Sequence, residues 1–220
     1  MVPRLRAWRW CLHLETLTLA RPADTLGAMA EYTIKTRRWT RAEYDKLIAL
    51  GFFEPSEHVE LIGGELMVAE PQGAPHYTAI WKTAKALEAV FGPGWIVRTQ
   101  GPIGLDDESE PEPDVAVVPG EPEDYRSEHP SRPALTVEVA QSSLSIDRER
   151  KGSLYARAQL QEYWVLNLEE RVLEVYREPV ADSSAVFGWR FSRREDFRSS
   201  SNVAPLWARN ARVRVADLLP

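Results

Sequence analysis

Apolar positions along this chain change period several times, and each change marks an element. Thr40 with Glu43 three residues later forms a capping box ahead of Leu47, Ile48 and Leu50, which predicts a short helix ending at Gly51. Residues 58–70 alternate apolar and polar side chains around Gly63-Gly64, the pattern of a hairpin with a two-residue turn. Ile80, Ala84, Leu87 and Phe91 recur at helical spacing from His76 until Gly92, predicting a second helix. Residues 95–100, 114–118, 134–140, 162–167 and 172–176 are short runs, mostly β-branched or aromatic, and each predicts a strand. Residues 147–161 read as a helix capped by Ser145, with Leu154 and Ala158 turned to the sheet. The tail is less regular: residues 189–194 alternate aromatic and basic side chains, 211–215 alternate like a strand, and 215–219 close as a helical turn.

No internal repeat and no linker divides this body. The economical architecture is one α/β domain over residues 31–220, a central mixed β-sheet flanked by helices with an N-terminal helix and β-hairpin. Residues 1–30 differ from it, with a basic start and an apolar middle interrupted by His13 and Glu15. A secretory signal has that outline, but its middle does not carry charge. The expectation is a poorly ordered extension, or a start assigned too early, with Met29 as the true start. A chain beginning at Met29 is therefore expected to keep the melting temperature and activity of the full chain. A loss of several degrees would mean that the segment packs on the core.

Composition narrows the class. The hydrophobic share of 44% and charged share of 27% over 220 residues are those of a soluble globular protein, with no apolar run long enough for a bilayer. The single cysteine, Cys11, excludes an internal disulfide framework and fits a reducing cytoplasm; with only four histidines beside it, a structural zinc site is not expected. A net charge of −6 argues against a generally basic nucleic-acid coat but leaves room for a local basic groove. Arg148, Arg150, Lys151 and Arg157 gather such charge near one predicted helix, where salt-sensitive DNA contact is expected.

Two predicted strands each carry one carboxylate where a buried strand favours an apolar residue: Asp114 and Glu138. Burying a charge is costly unless it is paired or holds a metal. Alternation puts Asp114 on the face of Ala116 and Val118, and Glu138 on that of Thr136 and Ala140, so neighbouring strands would make the two converge. Magnesium is typically held by one or two carboxylates, and the Val139 carbonyl offers a further oxygen. Phosphodiester cleavage uses such an ion, helped by a cation beside the attacking water. Ala140 leaves no lysine beside Glu138 on its strand face; Lys151, spaced i, i+4 from Tyr155, is the candidate on the following helix.

Singly, each residue has a plainer reading. Asp114 can satisfy backbone amides at a strand start, Glu138 can face water, Lys151 can lie on the surface and Tyr155 in the core. Glu65 is a candidate accessory ligand or a solvent-facing hairpin glutamate. Glu60 and His76 need no function, and the acids of residues 106–112 suit a solvated loop. Together and in order, Asp114, Glu138, Lys151 and Tyr155 favour a site.

The ordered series Glu60-Leu-Ile-Gly-Gly-Glu65-Leu, His76, Pro113-Asp114-Val, Val137-Glu138-Val, Lys151-x-x-x-Tyr155 and Glu162-Tyr-Trp164 resembles the Uma-type family within the PD-(D/E)xK nuclease superfamily, over residues 38–177. The resemblance implies a restriction-endonuclease-like core and Mg²⁺-dependent cleavage of DNA, with Mn²⁺ as an alternative ion. It implies metal at Asp114 and Glu138, and Asp114, Glu138 and Lys151 as the catalytic set. DNA is then the expected partner, with no membrane, in the cytoplasm; a homodimer is left open. The competing class is a nuclease fold that lost catalysis and serves binding or interaction, favoured by Ala140 and the acidic balance.

Overall fold

The computed structural model describes residues 36–69 and 72–220; the expectation for residues 1–30 lies outside them. Helix α1 (Arg41–Ala49) starts at the capping box: Thr40 Oγ1 accepts the Glu43 N–H at 3.3 Å, and the Glu43 carboxylate accepts the Thr40 N–H at 3.1 Å. The hairpin follows as β1 (Val59–Ile62) and β2 (Glu65–Val68), with Ile62 opposite Glu65. Gly63 and Gly64 have φ of +57° and +78°, the left-handed pair that this turn requires. A Cβ on Gly63 would also fall 2.3 Å from Phe187 Cε1, so that ring would have to move aside. Tyr44, Val59 and Leu61 form a small core that joins α1 to the hairpin.

The central sheet has six strands in the order β3 (Trp95–Thr99), β4 (Val115–Pro119), β5 (Leu135–Ala140), β6 (Glu162–Asn167), β7 (Val172–Ala181) and β8 (Trp189–Arg198). Only β5 and β6 run parallel, because the helical segment between them carries the chain back across the sheet. The strand period sorts side chains onto two faces. Val115, Val117, Leu135, Val137, Trp164 and Leu166 pack with Ile80, Ala84 and Leu87 of α2 (Ala74–Phe91) and with α4 (Val215–Leu218). Ala140, Tyr163 and Val165 face the other way, onto Tyr155, Ala156 and Phe191. The mixed sheet flanked by helices is the architecture expected from the sequence. Among the described residues no helix is long and apolar enough to cross a membrane.

The helix after β5 departs from its expected form. Residues 144–157 are helical, but Ile146–Lys151 wind as a π-helix before α3 (Gly152–Arg157) continues as a regular α-helix. Ser145 does not cap it: its φ of −69° and ψ of −37° are helical, and it makes no side-chain cap bond. Ser143 stands just outside the helix, and its hydroxyl donates to Asp147 Oδ2 at 2.6 Å. The helix ends at Arg157 rather than Gln161, because Gln159 turns to a φ of +62°.

The tail crosses the α2 face as a two-stranded ribbon, β9 (Asn202–Val203) with β10 (Val213–Arg214). Glu162, fully buried at the start of β6, ties it down. Its Oε1 accepts the Arg177 Nε–H at 2.9 Å and the Trp164 Nε1–H at 3.1 Å, while Oε2 accepts the Leu206 N–H at 2.7 Å. Glu162→Ala leaves the Arg177 guanidinium, only 15% exposed, with the more distant Glu195 carboxylate at 3.7 Å as its remaining counter-charge. Breaking such a pair costs about 3–5 kcal/mol. The expected loss is on the order of 10 °C in melting temperature for a domain of this size. Thermal denaturation followed by circular dichroism checks it; a change of a degree or two would mean that the tail is not held through this residue.

Candidate active site

Because β4 and β5 are antiparallel, the start of one and the end of the other meet at the same edge of the sheet. Asp114 immediately precedes β4, and Glu138 lies near the end of β5. Asp114 Oδ2 accepts the Val139 N–H at 2.8 Å, which fixes the two segments together. Its Oδ1 accepts from Gln72 Nε2 at 3.3 Å, and Gln100 Nε2 donates in turn to Gln72 Oε1 at 2.9 Å.

The π-helical turn and α3 then supply two groups to one oxygen. Tyr155 Oη donates to Glu138 Oε1 at 2.8 Å, and Lys151 Nζ lies 3.2 Å from the same atom. Lys151 Nζ also donates to Glu60 Oε1 at 3.2 Å. Glu60 comes from β1, and its Oε2 accepts the Glu112 N–H at 3.2 Å. His76, in the first turn of α2, donates from Nε2 to the Val139 carbonyl at 2.5 Å and lies 3.5 Å from Asp114 Oδ2. Its Nδ1 is buried with no hydrogen-bond partner among the described residues.

Asp114, Glu138 and Lys151 are each less than 10% exposed, so their charges are poorly hydrated. Burial raises the pKa of Asp114 above the usual aspartate range against the opposing influence of His76 and the Val139 amide. It raises that of Glu138 well above the glutamate range, with Lys151 the main opposing charge. Asp147 is pushed up to about 6 by burial, with Lys151 and the Ser143 hydroxyl opposing. For Lys151 burial disfavours the charge, but Glu138, Glu60, Asp147 and Asp114 together outweigh it and hold the ammonium above its ordinary pKa. The cluster is an excess of buried carboxylates around one cation.

These groups floor an open pocket of about 710 Å³, walled by Met67, Val68 and Ala69 of the hairpin side and by Gln141, Ser143 and Ile146 across from it. A magnesium ion is a hard cation that takes oxygen ligands, commonly one or two carboxylates, and keeps several waters. Asp114, Glu138 and the Val139 carbonyl fit that demand, and their under-compensated negative charge would favour a cation. Among the described residues no group of three or more His, Cys, Asp or Glu is placed to hold a metal by itself.

Asp114, Glu138, Lys151 and Tyr155, singled out from the sequence, are therefore brought together. Glu65 is not: its exposed carboxylate pairs with Arg150 at 2.5 Å, and Glu60 reaches the pocket instead. Glu60 and His76 were set aside as needing no function. A signal for Glu60 was present, since it stands among Val59, Leu61 and Ile62 in a strand buried at every position. Gln72, Glu112 and Asp147 carried no such sign. The basic residues expected to meet DNA near this helix each have a partner in the fold, and Lys151 lies in the pocket floor. Arg148 pairs with buried Glu174 at 2.5 Å, Arg157 with Asp106 at 2.6 Å and Arg150 with Glu65, so their charge is matched within the fold.

The family Uma2, described as "Putative restriction endonuclease", matches residues 41–210 of the chain. The fold is similar to the "Crystal structure of a putative nuclease belonging to DUF820 from Anabaena variabilis ATCC 29413" at a TM-score of 0.58 and 19% identity, covering 77% of this chain and 94% of that one. No curated protein matches.

Proposed function

Starting from the chain's membership of the Uma2 family, a match that spans residues 41–210, we propose that it is a divalent-metal-dependent endonuclease hydrolysing phosphodiester bonds of DNA. The observation that carries this reading is the convergence of Asp114, Glu138 and Lys151 on one pocket floor, with Lys151 Nζ 3.2 Å from Glu138 Oε1. Asp114, Glu138 and the Val139 carbonyl would hold Mg²⁺ or Mn²⁺. When bound, such an ion polarises the phosphate and makes water a better nucleophile. The Lys151 ammonium, held charged by its carboxylates, is a preorganised cation for negative charge that develops on the phosphate oxygens.

The other groups position these three. The Val139 amide and Gln72 hold both oxygens of Asp114, Tyr155 holds Glu138 Oε1, and His76 holds the carbonyl of Val139. Hydrolysis adds water across one P–O bond, so the phosphate gains an oxygen and the departing oxygen a proton. A DNA substrate and a chain with one cysteine support a cytoplasmic site of action.

A second reading, a catalytically inactive nuclease fold that binds DNA or another partner, is favoured by Ala140, which leaves β5 without a lysine. Supercoiled plasmid, linear duplex and single-stranded oligonucleotides incubated with Mg²⁺ or Mn²⁺, each with a chelator control, separate the two. Chelator-sensitive cleavage supports the enzyme; binding without cleavage under every condition supports the inactive alternative.

A further inference from the structure

We propose that the β9–β10 ribbon is a docking surface for the phosphate backbone of DNA, an inference that rests on the nuclease reading of the pocket. The pocket itself is poorly suited to attract a polyanion: its floor is rich in carboxylates, and the arginines of the nearby helix are paired within the fold. Cations that hold DNA must come from elsewhere. Between Asp196 and Asp217 the chain has four arginines, Arg198, Arg209, Arg212 and Arg214, and no acidic residue, in a protein of net charge −6. All four are exposed, and no carboxylate pairs with any of them among the described residues. By contrast Arg190, Arg193 and Arg194 on β8 each have a carboxylate within 4 Å.

Strand alternation explains the arrangement. Val203 and Val213 face each other across the ribbon and are buried in the core, which turns Arg212, Arg214 and Asn202 outward. Arg198 stands at the end of β8, where the Ser201 N–H donates to its carbonyl at 2.8 Å and starts the turn into β9. Trp207, exposed in the loop of the ribbon and 5.9 Å from the Trp95 ring, adds an aromatic surface of the kind that meets bases beside a basic track. The ribbon packs against α2, whose first turn lines the pocket. Helix α4 follows it directly, and the Leu219 carbonyl accepts from Lys82 Nζ at 2.5 Å. Lys82 lies on α2 six residues after His76, about 9 Å along the helix.

The test is fluorescence anisotropy of a labelled duplex with the full-length chain in chelator, where nothing is cleaved. Each phosphate contact contributes about −0.9 to the slope of log affinity against log salt, so Arg209, Arg212 and Arg214 together account for about −2.7, roughly 40-fold between 50 and 200 mM salt. The Arg209→Gln, Arg212→Gln, Arg214→Gln triple variant is expected to lose that part of the slope with a melting temperature within a degree or two of the wild type, since the three exposed side chains pair with no carboxylate and Arg209 gives up one exposed hydrogen bond, to the Leu206 carbonyl. A triple variant with wild-type affinity and slope overturns the ribbon while leaving catalysis standing. Ribbon-dependent binding by a chain that cleaves no DNA under any metal sinks the catalytic reading and keeps the surface. Ribbon-dependent binding to phosphatidylserine vesicles without duplex binding overturns DNA as the partner.

Discussion

Asp114→Asn and Glu138→Gln are each expected to abolish divalent-metal binding and DNA cleavage without unfolding the protein. Each variant removes one of two carboxylates that a magnesium ion would use, and the oxygen left behind is neutral. The fold is expected to tolerate both. In Asp114→Asn the new amide oxygen would still accept the Val139 N–H, and in Glu138→Gln it would still accept from the Tyr155 hydroxyl. The sign of the electrostatic effect points the same way. Burial raises the pKa of both acids above their unfolded values. Any stability from their protonated forms is present below the unfolded pKa and lost as pH rises through the folded one, so at neutral pH their charges weigh against the fold. The amide variants should therefore melt at or above the wild-type temperature, as expected where residues are kept for chemistry rather than for packing. Isothermal calorimetry with Mg²⁺ and Mn²⁺, alongside a thermal melt, reads both outcomes. Unchanged metal affinity in both variants would remove the metal site from this pair.

Lys151→Ala is expected to lower the turnover number by on the order of 10²–10³, the effect of deleting one preorganised electrostatic donor. Metal affinity should hold or rise, because the variant removes a positive charge close to a cation site. Stability complicates the variant, since Lys151 is the shared counter-charge of Glu60 and Glu138 at 3.2 Å from each. Lys151→Met keeps most of the stem and its packing while removing the charge, and so separates chemistry from folding. If Lys151→Met melts like the wild type but turns over slowly at saturating metal, the ammonium acts in the reaction. If both variants cleave at the wild-type rate, Lys151 is only the structural partner of Glu60.

Much of this molecule is written in short stretches of sequence. The capping box at Thr40 and Glu43, the Gly63-Gly64 turn and the helical spacing of Ile80, Ala84 and Leu87 each act within a few residues, through backbone conformation and side-chain period. So do the two carboxylates in apolar strands and the i, i+4 spacing of Lys151 and Tyr155, which is why the heart of the candidate site was legible before any fold was known. Tertiary structure decided which distant charges meet. Lys151 pairs with Glu60, 91 positions away, and Arg150 with Glu65, 85 positions away. The two glutamates sit on either side of one tight turn, and although Glu60 stands among Val59, Leu61 and Ile62, that pattern does not name its partner. The hairpin's docking buries one and leaves the other in water. The same holds for the helix arginines, whose charge looked available for DNA until β7 and the loop before β4 brought Glu174 and Asp106 against them. An ion's partner is set by where the chain returns, and a one-dimensional pattern carries the charge of a residue but not its neighbours in space.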